Sequence, residues 1–197
     1  YIDNGESLGI GSGSTVNILI ENLSKVKSKI RNVVSSSVKS TELLEANGFE
    51  VSELRDVGRL TKYIDGADEV NKNLQMIKGG GGALTREKIL AHNSNQFICI
   101  VDDSKKVDIL GEFPLPIEVI PLSRSSVSLE LIKHGGRPVL RENFVSDNGN
   151  LILDVHNLQI MEPIRLEQTI NNIPGVVTNG IFALDHANVL LCASDSG

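Results

Sequence analysis

Residues 97–101 read Phe97, Ile98, Cys99, Ile100 and Val101, five apolar side chains in a row. A strand with one wet face would alternate with polar residues. A short run that is apolar on both faces fits a central parallel strand covered by helices above and below. Asp102 and Asp103 follow it, and open parallel sheets bind ligands just beyond the carboxyl ends of their strands. Upstream, short apolar runs alternate with helical patterns, which implies strand–helix–strand crossovers. Residues 7–10 form the first strand. Val16, Leu19, Ile20, Leu23 and Val26 then mark one face of a helix that Ser14 or Thr15 can cap. Residues 30–34 are the next strand, and 40–46 a short helix closed by Asn47-Gly48. Residues 49–51, 60–64 and 74–77 are extended, and 83–93 helical.

Pro114, Pro116 and Pro121 mark a domain crossing. Beyond it the order is strand (117–120), helix (123–134), a strand pair (139–141 and 151–155) around the Asp147-Asn148-Gly149-Asn150 turn, helix, and strand (176–183). Pro163 suits the first turn of the second helix, with Leu166, Ile170 and Ile173 on one face. That succession is the split crossover of a ferredoxin-like domain. The expected fold class is α/β: a Rossmann-like, mostly parallel sheet flanked by helices, with a smaller ferredoxin-like α+β domain. Residues 1–113 and 186–197 form the Rossmann-like catalytic domain and 114–185 the small one, with 187–193 rejoining the first sheet.

With 197 residues, 40% of them hydrophobic, the chain can bury a proper core. A net charge of −6 gives no basic field for nucleic acid or an anionic membrane. No apolar run approaches the roughly 18 residues needed to span a bilayer, and no leader precedes Tyr1, a start that points to residues missing before it. Cys99 and Cys192 lie in apolar stretches, as reduced, buried packing residues do, which fits the cytoplasm.

Chemistry concentrates around two glycine-rich segments. Gly9-Ile10-Gly11-Ser12-Gly13-Ser14-Thr15 joins the first strand to the first helix, offering amides, hydroxyls and a helix dipole to a phosphate. It fits neither the dinucleotide fingerprint nor the Gly-Lys-Ser/Thr nucleotide loop, and such a junction also serves plain helix–strand packing. The second runs from Gly79 to Gly82 between a strand and a helix, so that bare backbone amides can face a ligand. Around it stand Asp65 and Asp68 in Asp65-Gly66-Ala67-Asp68, Lys78, and Glu87 in the first turns of the following helix. The aspartates can grip sugar hydroxyls or merely shape a turn. Lys78 can stabilise a developing oxyanion or be solvated. Glu87 is a ready base or a helix-start charge. Lys105 stands at the next strand's exit, where it can meet a phosphate or simply water. His92, His134, His156 and His186 are scattered without the spacing of a metal site, and the first glycine loop lacks a nucleophile elbow.

Several long motifs carry a resemblance: Gly11-Ser12-Gly13-Ser14-Thr15, Ser35-Ser36-Ser37 with Ser40-Thr41, Asp65-Gly66-Ala67-Asp68-Glu69, Lys78-Gly79-Gly80-Gly81-Gly82-Ala83-Leu84-Thr85-Arg86-Glu87-Lys88, Asp103-Ser104-Lys105, Gly135-Gly136-Arg137-Pro138, Asp147-Asn148-Gly149-Asn150 and Ile173-Pro174-Gly175-Val176-Val177. In that order they resemble the type A ribose-5-phosphate isomerases nearly end to end. The resemblance implies interconversion of ribose 5-phosphate and ribulose 5-phosphate in the non-oxidative pentose phosphate pathway. It implies that Ser12, Gly13, Ser14, Thr15, Asp65, Gly66, Ala67, Asp68, Lys78, Gly79, Gly80, Gly81 and Lys105 contact substrate, with Glu87 as general base and no metal or organic cofactor. Asp65 and Asp68 would pass protons during ring opening, and Lys78 would stabilise an enediolate. It further implies a homodimer or a tetramer. The family has a helix before the position of Tyr1 and a strand after that of Gly197, and this chain departs from it there. Two rivals share these features: a non-catalytic sugar-phosphate sensor, which needs no base, and an isomerase of a related phosphosugar.

Overall fold

Leu8, Ile10, Leu60, Tyr63, Ile64, Phe97, Ile98 and Val101 are all buried, and strands apolar on both faces pair into a parallel sheet. The computed structural model describes residues 2–194. In chain order the elements are β1 (Glu6–Ile10), α1 (Ser14–Leu23), β2 (Ile30–Ser35), α2 (Val38–Ala46), α3 (Leu54–Val57), β3 (Leu60–Asp65), β4 (Glu69–Val70), β5 (Met76–Ile77), α4 (Leu84–His92), β6 (Ser94–Asp102), β7 (Leu115–Val119), α5 (Arg124–Lys133), β8 (Arg137–Leu140), β9 (Leu151–His156), α6 (Pro163–Asn171), β10 (Val176–Asn179), β11 (Ile181–Phe182) and β12 (Val189–Ala193). The chain divides into two compact units. One holds the residues up to Gly66, Arg86–Asp103 and those from Ala187 on; the other holds Ala67–Thr85 and Ser104–His186.

The first unit is a five-stranded sheet of order β12-β6-β3-β1-β2, parallel throughout. The chain winds outward from β1 to β2 and then crosses back to β3, so the order reverses between β1 and β3. At such a switch point the connections leave in opposite directions and open a crevice beyond the strand ends. Register sets Ile10 of β1 beside Ile64 of β3, so the glycine loop after β1 and Asp65 at the end of β3 emerge side by side. Val16, Ile20 and Leu23 pack α1 into a core with Leu8, Ile10, Val33, Leu44 and Phe49. Burial of such side chains contributes about 1.5–3 kcal/mol each. The helix begins behind Gly13, whose φ of 100° no capping hydroxyl replaces, so neither Ser14 nor Thr15 is the cap. Residues 49–51 contribute only the bridge from Val51 to Val33.

The second unit contains β7-α5-β8-β9-α6-β10 with sheet order β10-β7-β9-β8, antiparallel throughout. This is the expected ferredoxin-like arrangement. Its core gathers Ile117, Val119, Val127, Leu131, Leu153, Val155 and Ile170. Beside it lies a three-stranded sheet of order β11-β5-β4.

Residues 67–85, 104–113 and 186, expected with the parallel sheet, belong to this second unit. The reason is pairing: Ile181 and Phe182 of β11 bond to Ile77 and Met76, while buried Glu69 accepts from the amides of Gly111, at 2.8 Å, and Phe113. The strand expected over 176–183 is broken at Gly180. Its amide bonds to Pro116 O at 2.8 Å, its carbonyl accepts from Lys78 N at 2.9 Å, and a Cβ there would lie 2.3 Å from the Lys78 carbonyl oxygen. Residues 74–77 shorten to Met76–Ile77 because Leu74 turns through a φ of 59°. No helix among the described residues is long and apolar enough to cross a membrane.

Cys99 is buried in β6, whereas Cys192 in β12 is partly exposed and its thiol donates to Asp103 Oδ1 at 3.1 Å. The expectation of two buried packing cysteines therefore holds for Cys99 alone. The strand end leaves the Cys192 side chain near water and next to an acceptor.

Candidate active site

Within the first unit, the β1–β3 switch point is built around a carboxylate. Asp65 is fully buried. Its Oδ1 accepts from Ser12 N at 3.1 Å and Gly66 N at 2.8 Å, and its Oδ2 accepts from the Tyr63 hydroxyl. Tyr63 and Asp65 are two apart in one strand, so their side chains leave the same face. A Cβ at Gly11 would lie 1.9 Å from Asp65 Cγ: glycine is required there because the carboxylate fills the space. Ser40 Oγ donates to Gly11 O at 2.8 Å and pins the loop from its other side.

Ser12 Oγ then donates to Glu87 Oε1 at 2.6 Å. Glu87 stands in the first turn of α4 and is 3% exposed. Tyr63, Asp65, Ser12 and Glu87 thus form a connected chain of hydrogen bonds, which fixes the direction of the last carboxylate. Gly13, Ser14 and Thr15 are exposed at the start of α1, where the first amides of a helix have no intrahelical acceptor and the dipole favours an anion.

The Tyr63 phenol is held well above its usual pKa, first by burial, then by the negative charges of Asp65 and Glu87 and by its hydrogen bond to Asp65, with Ser36 opposing. The folded protein therefore keeps this proton where an unfolded tyrosine, titrating near pH 10, would lose it. That contribution to stability is whole below pH about 10 and declines as pH rises beyond it. Tyr63→Phe is expected to lower stability at pH 7 by about 1–2 kcal/mol, from the donor lost to Asp65, and to flatten the alkaline decline. Melting temperatures from pH 7 to pH 11 for both proteins test this; parallel curves would contradict it.

The second unit holds the other predicted residues. Lys78 is 3% exposed, and its ammonium lies 5.5 Å from the centroid of the Phe182 ring. The glycine run after it does not present four bare amides. Gly80 N–H donates to Asp68 Oδ2 at 2.8 Å, and Gly82 N–H to Gly79 O at 2.8 Å. Three of its four glycines are required by contact: a Cβ would come within 2.9 Å of Leu84 at Gly79, 2.6 Å of Asp68 at Gly80 and 2.1 Å of Phe144 at Gly82. Gly80 and Gly81 are exposed and Asp68 partly so. Lys105 ends a 3-10 turn, Asp103–Lys105, and is partly exposed.

The structure thus brings Ser12, Asp65 and Glu87 together in one unit, and Asp68 with Gly80 in the other. Gly66 and Ala67 link the two aspartates in irregular backbone, half-buried. Tyr63 and Arg141 were not singled out from the sequence. Tyr63 could have been found from its place two residues before Asp65. Nothing in local spacing marks Arg141, whose guanidinium reaches the carbonyls of Gly79 and Gly80.

A sequence profile of the family described as ribose 5-phosphate isomerase A (phosphoriboisomerase A) matches residues 32–197. The crystal structure of ribose 5-phosphate isomerase A from Neisseria gonorrhoeae is similar with a TM-score of 0.97 and 50% identity, covering 100% of this chain and 88% of that one. A D-ribose-5-phosphate isomerase solved in complex with phospho-erythronic acid gives 0.96 and 36%, covering 100% and 90%. The enzyme from Methanocaldococcus jannaschii gives 0.92 and 37%, again covering 100% and 90%.

Proposed function

The chain belongs to the ribose 5-phosphate isomerase A family, and from that premise we propose how its residues carry the reaction. The reaction is the interconversion of D-ribose 5-phosphate and D-ribulose 5-phosphate, an intramolecular oxidoreduction between neighbouring carbons. Moving a carbonyl from C1 to C2 requires one proton to leave C2 and one to arrive at C1, so a single carboxylate within reach of both carbons suffices.

Glu87 is that base. The observation that carries this reading is the 2.6 Å hydrogen bond from Ser12 Oγ to Oε1 of a carboxylate that is only 3% exposed. A buried carboxylate aimed by a hydroxyl is pre-oriented for proton transfer. Lys78, equally withdrawn from water, stabilises the enediolate that forms between the two proton transfers, since an ammonium in a dry site acts strongly on new charge. The glycine run contributes amide dipoles to the same end. The exposed start of α1 at Gly13, Ser14 and Thr15 receives the phosphate, with Lys105 as a further cation for it.

The two aspartates divide their work. Asp65, with both oxygens occupied by three donors, positions Ser12 and through it Glu87. Asp68 is partly exposed and meets Gly80 N–H through Oδ2; its Oδ1 takes and returns the hydroxyl proton of ring opening. Gly66 and Ala67 form the link between them beside the sugar. No metal or organic cofactor takes part. The same reading makes the protein a cytoplasmic homodimer, or a tetramer, acting in the non-oxidative pentose phosphate pathway; the family resemblance supports the assembly and the pathway, and the reduced thiols of Cys99 and Cys192 fit the compartment.

Proton transfer through a carboxylate and a direct hydride shift leave different isotopic records. With ribose 5-phosphate in deuterium oxide and EDTA present, the ribulose 5-phosphate formed is expected to carry solvent deuterium at C1, at an undiminished rate. Complete retention of the original C2 hydrogen, or activity abolished by the chelator and restored by a divalent cation, would overturn the enediolate route.

A further inference from the structure

The glycine run is held from one side by a residue of the ferredoxin-like fold. Arg141 follows β8, and its guanidinium donates to Gly79 O at 3.3 Å from each terminal nitrogen and to Gly80 O at 3.1 Å. It is itself fixed by a two-point ion pair with Asp154 of β9, Nε to Oδ2 at 2.8 Å and the second terminal nitrogen to Oδ1 at 2.5 Å. Its carbon lies 5.3 Å from the centroid of the Phe144 ring. Both members of the pair are largely withdrawn from solvent, at 18% and 21% exposure. A planar fork so anchored has one orientation.

Peptide geometry converts that orientation into an aim. In a trans peptide the carbonyl and the next residue's N–H point in opposite directions. Drawing the Gly79 carbonyl to Arg141 turns Gly80 N–H away from it, and on that opposite side Asp68 Oδ2 accepts that N–H at 2.8 Å. Drawing the Gly80 carbonyl to Arg141 turns Gly81 N–H away in the same manner, at an exposed position. Glycine peptides rotate with little steric resistance, so without the clamp these two planes would sample many directions.

We infer that Arg141 is a positioning residue for the isomerisation: it locks the Gly79–Gly80 and Gly80–Gly81 peptide planes so that Asp68 is oriented and the Gly81 amide faces the reacting sugar. This assignment deepens the proposed role of the glycine run and Lys78 in stabilising the enediolate, and it rests on that role. Preorganised donors act on the transition state more than on the bound ground state. Losing the clamp therefore lowers kcat and leaves KM nearly unchanged.

The test compares Arg141→Ala, Arg141→Lys and Lys78→Met in steady-state turnover of ribose 5-phosphate, with thermal melts alongside. Arg141→Ala is expected to lose roughly 10- to 100-fold in kcat with KM within about threefold, since an oxyanion donor is worth about 100- to 1,000-fold and here it is misaimed, not deleted. Arg141→Lys, a point charge that cannot bridge two carbonyls and a carboxylate at once, falls between. Free guanidinium at low millimolar concentration is expected to restore part of the Arg141→Ala rate and none of the Lys78→Met rate. Wild-type kcat in Arg141→Ala beside a slowed Lys78→Met would overturn the positioning role alone. Wild-type kcat in both variants would remove the reading of the glycine run and Lys78 on which it stands. A slow Arg141→Ala that guanidinium does not rescue, with the melt lowered in proportion, would reduce Arg141 to a structural residue.

Discussion

Glu87→Gln is expected to lower kcat for ribose 5-phosphate by roughly 100- to 10,000-fold, the contribution of a positioned general base, while KM stays within about threefold. The amide keeps the shape and the acceptor oxygen, so Ser12 Oγ still has its partner across 2.6 Å, and the buried surroundings of a 3%-exposed side chain are unchanged in volume. What disappears is the lone pair that can hold a proton between C2 and C1. On the proposed role the residue removes a proton only as the reaction proceeds, so the loss falls on the chemical step and not on binding. Rapid mixing followed by quenching separates the two, and the melting temperature should move by no more than a few degrees. Turnover within tenfold of the unaltered enzyme would transfer the base role to another group. A large rise in KM at unchanged kcat would make Glu87 a binding residue.

Much of the fold was legible in the sequence. Phe97 to Val101 announced a doubly covered strand, and strands alternating with helices pointed to parallel crossovers, while the reversal from β2 back to β3 emerges only in the sheet order. The parallel sheet was therefore readable from the hydrophobic pattern, and the general behaviour of such sheets drew attention to the carboxyl ends of its strands. The small unit's order was readable from its turns, since Asp147-Asn148-Gly149-Asn150 and Pro163 mark fixed points. Three further features were not, and each depends on tertiary contact. The break at Gly180 arises because Pro116 and Lys78 claim its two backbone groups, and a run from Val176 to Ala183 cannot display that in its own composition. The glycine run reads as bare amides, yet Asp68 and Gly79 accept two of its N–H groups. For Asp65 the residue pattern offers a grip on sugar hydroxyls or a turn, and the resemblance a proton-passing role, but neither displays its burial. That burial rests on the Tyr63 hydroxyl, two residues away in the same strand, and on the space left at Gly11, whose approach to Asp65 is visible only in three dimensions.

Asp65→Ala is expected to be the most damaging single substitution to stability at the site. The carboxylate is fully buried, and its removal leaves the Tyr63 hydroxyl and the amides of Ser12 and Gly66 without their acceptor. Each orphaned buried donor costs about 1–3 kcal/mol; with partial relaxation into the space beside Gly11 the total is about 3–5 kcal/mol, comparable to breaking a buried ion pair. In a chain of this size that lowers the melting temperature by roughly 10 °C. Activity falls as well, because Ser12 is no longer held and the Glu87 carboxylate loses its aim; a displacement of about 1 Å is enough for a 100-fold loss. Asp65→Asn then separates positioning from proton transfer. The amide oxygen still accepts from Ser12 and Gly66, and the Tyr63 hydroxyl can rotate to accept from the new NH2 group. If Asp65 works by holding the loop, the Asn variant recovers most of the lost melting temperature and keeps kcat within about tenfold of the unaltered enzyme. If its carboxylate passes a proton during ring opening, the Asn variant is as stable as expected and as inactive as the Ala variant, and the division of labour between Asp65 and Asp68 is overturned.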